Sequence, residues 1–334
     1  MAIAAVGGLA ARPGVAWCLD RVGRKPTLIA GTVLLAMAVS LIGTIDVFGP
    51  WVYVIRILIG VGTATLFTGY FTLAADLVPK ARRTEGLALF GISGLVPLAV
   101  NPFADQIGIQ GGELRFFFVG VGALIGLSLL FLVPVHAPSS SAKTERGNLG
   151  DVWAAMRKRR LWPVWLATLL FSGLASLFMV FATVTAATRG IDKPANLWLT
   201  YALGAVSVRA LGARLPETLG PSRVLGPALV SYVVGVILVA VNQGPTGFLV
   251  AGALCGIGHG YCFPILASQT VTRTPESLRG TAMSLFTALW DLSKLALVPI
   301  FGIVAREYGD QTMFLAAAAL ASAGIGIWAF LERH

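Results

Sequence analysis

The stretch Asp20-Arg21-Val22-Gly23-Arg24-Lys25 places four charged side chains between two apolar segments. The chain is apolar up to Leu19 and becomes apolar again from Pro26. Six residues are too few to form a domain, so we expect a tight turn that joins two membrane-spanning helices. This turn is the starting point for the prediction of the fold.

The composition supports a membrane protein. Of the 334 residues, 56% are hydrophobic and only 12% are charged, whereas a soluble domain carries about 25% charged residues. A bilayer core of about 30 Å needs about 20 apolar residues per helix, and this sequence supplies such runs repeatedly. Only helices and closed barrels can cross lipid, and the runs lack the alternation of barrel strands. The fold class predicted is therefore an all-α membrane protein.

The apolar runs predict eleven spanning helices and one long polar segment. We expect an N-terminal bundle at 1–136, a cytoplasmic linker at 137–160 and a C-terminal bundle at 161–334. The predicted spans are 1–19, 27–46, 50–74, 85–107, 115–136, 161–188, 195–215, 223–242, 246–272, 280–305 and 312–331.

Basic residues predict the orientation, because cytoplasmic loops carry an excess of Lys and Arg. Loops and tail on one side hold 17 of the 25 basic residues, and the opposite loops hold 4. The richer side contains the Asp20 turn, the linker and the C-terminus, which we therefore place in the cytoplasm. The net charge of +10 is then a topology signal, and it needs no nucleic-acid partner.

An internal repeat divides the chain into two similar halves. Two like-oriented halves joined by a polar loop are typical of secondary transporters. In the second copy of the Asp20 turn, Pro221 and Ser222 replace the basic pair, so that copy is interpreted as degenerate. The correspondences are Ala16-x-x-x-Asp20-x-x-Gly23 with Ala213-x-x-x-Glu217-x-x-Gly220 and Arg12 with Arg209 (197 residues apart), and Gly60-Val61-Gly62 with Gly256-Ile257-Gly258, Pro79 with Pro275 and Arg83 with Arg279 (196 apart).

Two motifs resemble those of major facilitator superfamily (MFS) transporters. The family carries Gly-x-x-x-Asp-Arg-x-Gly-Arg-Arg between its second and third helices, and here Ala16 stands where the first Gly is expected. The segment Arg56-x-x-x-Gly60-x-Gly62 resembles the signature on the family's fourth helix. The resemblance implies two pseudo-symmetric six-helix bundles, with eleven of the twelve transmembrane helices present and the first one lacking. A signal peptide at 1–19 is the alternative, but Arg12 and Pro13 interrupt that run.

The resemblance implies a secondary transporter that works by alternating access in the bacterial inner (plasma) membrane. Short loops and an apolar interior are most similar to proton-coupled efflux permeases for drugs or metabolites. The fifth family helix fits less well, because Asn101-Pro102-Phe103-Ala104-Asp105-Gln106 replaces the antiporter pattern Gly-Pro-x-x-Gly-Gly. Two alternatives stay open: an uptake or facilitative carrier for a polar or anionic metabolite, and a non-transporting truncated remnant or membrane receptor.

The Asp20 turn is the predicted conformational switch. In the family, an acid and bases at these positions form ion pairs that hold the cytoplasmic side closed, and the simpler alternative is that the charges only enforce topology. Arg56 is expected either to influence a nearby protonatable acid or to reach the outer interface by snorkelling. The switch residues are Asp20, Arg21, Gly23, Arg24 and Lys25.

Other polar residues inside the predicted spans are candidates for the transport path. Asp291 and Lys294 are three residues apart, hence on one helix face, and they could pair with each other or serve as a protonation or substrate site. Histidine is the side chain that titrates near neutral pH, so His259 is a candidate, with a helix-packing histidine as the alternative. The candidates for coupling and transport are Arg56, Gly60, Gly62, Asp291, Lys294, His259, Arg12, Arg209 and Asn101.

The sequence contains no recognisable catalytic motif. His136, His259 and His334 are scattered, the three cysteines include no CxxC pair, and no phosphate-binding loop occurs. We therefore expect no enzyme activity, no catalytic residue, no metal and no cofactor. The expected partners are a small-molecule substrate, protons as the coupling ion and the lipid bilayer. The expected oligomeric state is a monomer.

Overall fold

The computed structural model describes residues 2–45, 47, 49–100, 113–135 and 159–333. All of the regular structure in these ranges is helical, which confirms the predicted all-α class. A π-helical turn at Cys18–Val22 follows the first helix, and 3₁₀ turns lie at Lys80–Arg82, Arg159–Leu161 and Glu276–Leu278. The α-helices are α1 Ala2–Trp17, α2 Arg24–Ile42, α3 Pro50–Leu77, α4 Arg83–Phe90, α5 Val96–Val100, α6 Glu113–Leu127, α7 Leu129–Leu132, α8 Trp162–Thr188, α9 Asn196–Leu211, α10 Leu215–Leu219, α11 Pro221–Val241, α12 Pro245–Thr272 and α13 Arg279–Arg333.

Seven helical segments in the described ranges are long and apolar enough to cross a membrane. This number is lower than the eleven predicted, because α1 and α9 have only 16 residues each. The predicted span 85–107 is broken between α4 and α5 and extends beyond the described residues. The seven segments are Arg24–Ile42, Pro50–Leu77, Glu113–Leu132, Trp162–Thr188, Pro221–Val241, Pro245–Thr272 and Arg279–Arg333.

The last helix contains two of the predicted spans. At 1.5 Å per residue, the 55 residues of α13 would extend about 80 Å, far more than one bilayer. Gly309 interrupts the helix with φ 85° and ψ 159°, a conformation that glycine adopts readily. The break falls between the predicted spans 280–305 and 312–331, so these spans are two helical arms of one element.

The described chain forms two compact units. The first unit comprises 2–77, 113–135 and Thr274–Leu295. In it, α1 and α2 pack against α3, and α6 packs against α2. Leu28, Leu73 and Leu132 form its buried cluster. The division into bundles at 1–136 and 161–334 stays a prediction, and most of the linker 137–160 lies outside the described residues.

The second unit comprises 78–100, 159–273 and 296–333. Here α9 and α11 pack against α12, as α1 and α2 pack against α3 in the first unit. Its core is aromatic, because the rings of Phe171, Phe178, Tyr201 and Tyr232 are fully buried and contact one another. The unit thus has its own core.

The same close contacts between helices occur inside each of the two units. At four glycines an added Cβ would collide with a neighbouring helix, so the absence of a side chain permits the approach. The partners are 196 or 197 residues apart in the sequence, so the internal repeat is present in the packing as well as in the motifs. The contacts are Gly60 with Ala4 and Gly256 with Tyr201 (α3–α1 and α12–α9), and Gly62 with Leu35 and Gly258 with Tyr232 (α3–α2 and α12–α11).

Candidate functional site

Asp20 binds the N-terminus of α13. Its carboxylate accepts hydrogen bonds from the backbone N–H groups of Gly280 at 3.0 Å and Thr281 at 2.9 Å, and from the Thr281 hydroxyl at 2.8 Å. The first N–H groups of a helix have no partner inside the helix and carry partial positive charge. Burial raises the pKa of Asp20, while the bonds from Thr281 and the charge of Arg24 oppose this increase.

Arg24 extends this contact into a row of alternating charges. It lies 3.1 Å from Asp20 and 3.1 Å from Asp76, at the end of α3. Arg279, the first residue of α13, lies 3.1 Å from the other oxygen of Asp76. Sequence reasoning identified Asp20 and Arg24 but missed Asp76. A signal for this contact was available in the internal repeat. The repeat makes Arg279 the counterpart of Arg83 and places Arg279 beside the end of a helix.

The other residues of the Asp20 turn shape its backbone or face outward. Gly23 has φ 115°, a value that side-chain-bearing residues rarely adopt, and its N–H bonds to the Cys18 carbonyl at 3.0 Å. Lys25 donates to the carbonyl of Val133. Arg21 is exposed. The turn therefore brings Asp20 and Arg24 into the charge row, and it leaves Arg21 outside it.

The second unit contains a counterpart of this site. Glu217 accepts a hydrogen bond from the N–H of Glu85 at 2.9 Å, at the start of α4. The carboxylate of Glu85 in turn binds Arg82 at 2.6 Å and Arg214 at 3.1 Å. The basic pair is replaced by Pro221 and Ser222, as the sequence indicates, but Glu217 still binds a helix N-terminus. The nearby bases Arg82 and Arg214 bind Glu85 and come from other positions, so the motif comparison missed them.

Arg12 and Asp291 form a buried ion pair in the first unit. Arg12 donates to one carboxylate oxygen of Asp291 from Nε at 3.2 Å and from Nη2 at 2.5 Å. Its Nη1 donates to the hydroxyls of Thr68, at 2.8 Å, and Thr287. The side chains of Arg12 and Asp291 are 9% and 19% exposed. Asp291 thus pairs with Arg12 rather than with Lys294, its neighbour on the same helix.

Arg209 and His259 lie together in the second unit. Arg209 donates to the carbonyls of Gly260 at 3.2 Å and His259 at 3.5 Å. The His259 ring nitrogen Nδ1 lies 2.5 Å from the Tyr201 hydroxyl, and the ring meets Phe171 edge to face. This environment fits the packing alternative for His259.

The remaining candidates are dispersed. Arg56 is exposed on α3 and makes no ion pair with the described residues, which fits the snorkelling alternative. Gly60 and Gly62 serve helix packing, as described above. Lys294 is half-buried, and Asn101 lies outside the described residues. Within the described ranges, no group of three His, Cys, Asp or Glu side chains is placed to hold a metal ion.

These features define a class: a helical membrane protein with charge pairs inside its helical units and a repeated contact between a carboxylate and a helix N-terminus. The family model described as Major Facilitator Superfamily matches residues 1–295 and 196–334, and the chain belongs to this superfamily of membrane transporters.

Curated relatives carry the same description. An uncharacterized MFS-type transporter of Burkholderia mallei (strain SAVP1) is 26% identical over 338 residues, which cover 98% of this chain and 80% of the relative. A second, from Salmonella typhimurium (strain LT2), is 26% identical over 335 residues, covering 94% and 81%. These relatives are MFS-type transporters, in agreement with the family assignment.

Two solved structures share the fold. The human organic anion transporter MFSD10 (TETRAN) superposes with a TM-score of 0.79 at 16% identity, covering 98% of this chain and 83% of that one. A variant of the Escherichia coli fucose:proton symporter FucP gives 0.75 at 17% identity, covering 98% and 86%. At this level of identity the likeness establishes the fold alone.

Proposed function

We propose that this protein is a proton-coupled secondary transporter that exports a drug-like compound or metabolite by alternating access. We place it as a monomer in a bacterial inner membrane with a cytoplasmic C-terminus. Short loops and an apolar interior, similar to those of efflux permeases, favour export over uptake. The observation that carries the proposal is the Arg12–Asp291 pair.

The pair provides a site where a proton changes the balance of charge. A carboxylate inside a membrane protein is costly unless it is paired, and Arg12 supplies that partner. Protonation of Asp291 removes the negative charge and leaves the guanidinium with neutral partners among the described residues, including the hydroxyls of Thr68 and Thr287. The protonated and deprotonated states then favour different arrangements of α1 and α13, which is the requirement for coupling.

The Asp20 turn is the proposed switch. Its carboxylate holds the start of α13 through Gly280 and Thr281, and the row from Arg24 through Asp76 to Arg279 reinforces the contact. Loss of these bonds would release the start of α13 from the turn between α1 and α2. The fucose:proton symporter with this fold provides a precedent for coupling a substrate to protons.

Proteoliposomes with an internal pH dye test the proposal. Under an imposed pH gradient, we expect members of a panel of lipophilic dyes and metabolites to elicit proton flux. Asp291→Asn should abolish this flux, because the amide cannot take up or release the proton. Glu307→Gln is the matched control, since Glu307 is an exposed carboxylate on the same helix that pairs with Arg306. Full proton flux in Asp291→Asn would overturn the proposal.

A further inference from the structure

Arg209 is a buried cation that lacks a carboxylate partner among the described residues. Its exposed fraction is 2%. A guanidinium carries five N–H donors, and here Nε and Nη2 donate to two backbone carbonyls. Nη1 has no acceptor within the described part of the chain. A buried charge compensated only by carbonyl dipoles is expensive, and its persistence needs an explanation.

The repeat shows what Arg209 is missing. Arg12 occupies the equivalent position 197 residues earlier, and its guanidinium binds the side chains of Thr68, Thr287 and Asp291. The repeat offset of 196 relates these three partners to three positions in the second unit. None of the three carries a side-chain acceptor: they are Pro264, Gly91 and Leu95.

The glycine at the position equivalent to Thr287 lets Arg209 come close to the backbone. An added Cβ at Gly91 would collide with Nη1 of Arg209, so the unpaired nitrogen faces the place where Thr287 stands in the other copy. Arg209 therefore keeps the position and the burial of Arg12, and it has lost every side-chain partner that Arg12 has.

The backbone beside Arg209 is also interrupted. The helix α4 ends at Phe90, the residues 91–95 form hydrogen-bonded turns, and α5 begins at Val96. The equivalent residues 287–291 lie within the continuous part of α13. Broken helices commonly form the binding sites of secondary transporters. The break and the missing counter-ion occur at the same place.

We infer that Arg209 binds a single anionic group of the transported substrate, so that the substrate class is an organic monoanion such as a carboxylate. The Nη1 donors supply the contact that the two threonines occupy in the other copy, where Asp291 is bound by Nε and Nη2. A planar guanidinium suits a carboxylate because two parallel hydrogen bonds can form. This inference rests on the proposed transport function and adds the substrate class to it.

Thermal unfolding of the purified full chain in detergent at pH 7.5 tests the inference. The probes are acids and their uncharged amides: benzoate with benzamide, nicotinate with nicotinamide, and hexanoate with hexanamide. We expect at least one acid to raise Tm by several degrees more than its amide. Arg209→Gln should remove this difference, weakening binding of the acid about tenfold or more. Arg223→Gln, which changes an exposed arginine of the same unit, should keep it.

A second pair of variants tests the inference in case Arg209→Gln does not fold. Leu95→Asp supplies a carboxylate at the position equivalent to Asp291, so it should fold and lose the preference for acids. Leu95→Asn should keep that preference. The inference is overturned if no acid differs from its amide in the wild type, or if the difference survives in Arg209→Gln or Leu95→Asp.

The binding test is independent of proton coupling, because no gradient is applied. Asp291→Asn should therefore retain the acid–amide difference even though its proton flux is lost. Acid binding without proton flux in the wild type would contradict the proposed function and leave this inference standing. Proton flux without any acid preference would contradict this inference and leave the proposed function standing.

Discussion

Arg279 at the start of α13 bonds to Asp76 at the end of α3, with 3.1 Å between Nη1 and the carboxylate oxygen. In the second unit, Arg83 at the start of α4 bonds to Thr272 at the end of α12, also at 3.1 Å. Each residue lies 196 positions from its counterpart. The repeat thus preserves an arginine contact at the same junction: the partner is the carboxylate of Asp76 in the first copy and the hydroxyl of Thr272 in the second.

A double-mutant cycle on Asp76 and Arg279 should reveal strong coupling. Both side chains are nearly buried, at 12% and 11% exposed, so removal of either one leaves the other with fewer opposite charges beside it, Arg24 for Asp76 and Glu276 for Arg279. We expect Asp76→Asn and Arg279→Gln to be less destabilising together than the sum of the single changes, by about 0.5–3 kcal/mol. Chemical unfolding of the purified protein measures this. Additive effects would show that the pair contributes nothing specific.

Asp20→Asn should impair transport more than folding. The amide keeps an oxygen for one N–H of α13, but it loses the second acceptor and the charge that holds Arg24. Because burial raises the pKa of Asp20, replacing the carboxylate by a neutral group costs little folding energy. We expect transport in proteoliposomes to decrease about tenfold, or about 1.4 kcal/mol, with Tm nearly unchanged.

The control for Asp20→Asn is Arg21→Gln, an exposed charge in the same turn. It should leave transport unchanged. If Asp20→Asn also transports normally, the turn serves only to set topology.

Glu217→Leu should impair transport as well, since Glu217 binds the start of α4 as Asp20 binds the start of α13. Glu217 is exposed, so the substitution should have little effect on Tm. Transport assays in proteoliposomes, compared with Glu307→Gln, provide the measurement. Normal transport in Glu217→Leu would restrict the switch to the first copy.

Gly60→Ala should destabilise the first unit, because the new Cβ would collide with the backbone of Ala4. Overpacking of this kind costs about 1–3 kcal/mol. Gly14→Ala on α1 is the matched control, since a Cβ there has open space around it. The two unfolding midpoints should differ clearly. Equal midpoints would show that α1 and α3 can separate at little cost.

The sequence predicted the features that depend on local pattern. Apolar runs indicated the helical class, and the spacing of Asp20, Arg24 and Gly23 located a turn that the structure also contains. The number of spans was less predictable, because hydropathy does not show where a helix breaks. The turn after Phe90 shortens one predicted span, whereas the break at Gly309 falls between two predicted spans that belong to one long helical element.

Partners across the fold were beyond sequence reasoning. Spacing placed Asp291 beside Lys294, but the packing of α1 near α13 offers Arg12, whose planar group makes two bonds to the carboxylate. Similarly, Arg214 reaches Glu85 from a segment 129 residues away in the sequence. Such pairs depend on tertiary contacts, and only the repeat, which relates Arg12 to Arg209, hinted at them.

The two arginine environments also matter for engineering. Thr68, Thr287 and Asp291 bind Arg12, and their repeat equivalents are Pro264, Gly91 and Leu95, so each set can be varied without touching its twin. Libraries aimed at altered selectivity should therefore randomise Pro264, Gly91 and Leu95, while the set that binds Arg12 is kept fixed to preserve the proposed coupling site.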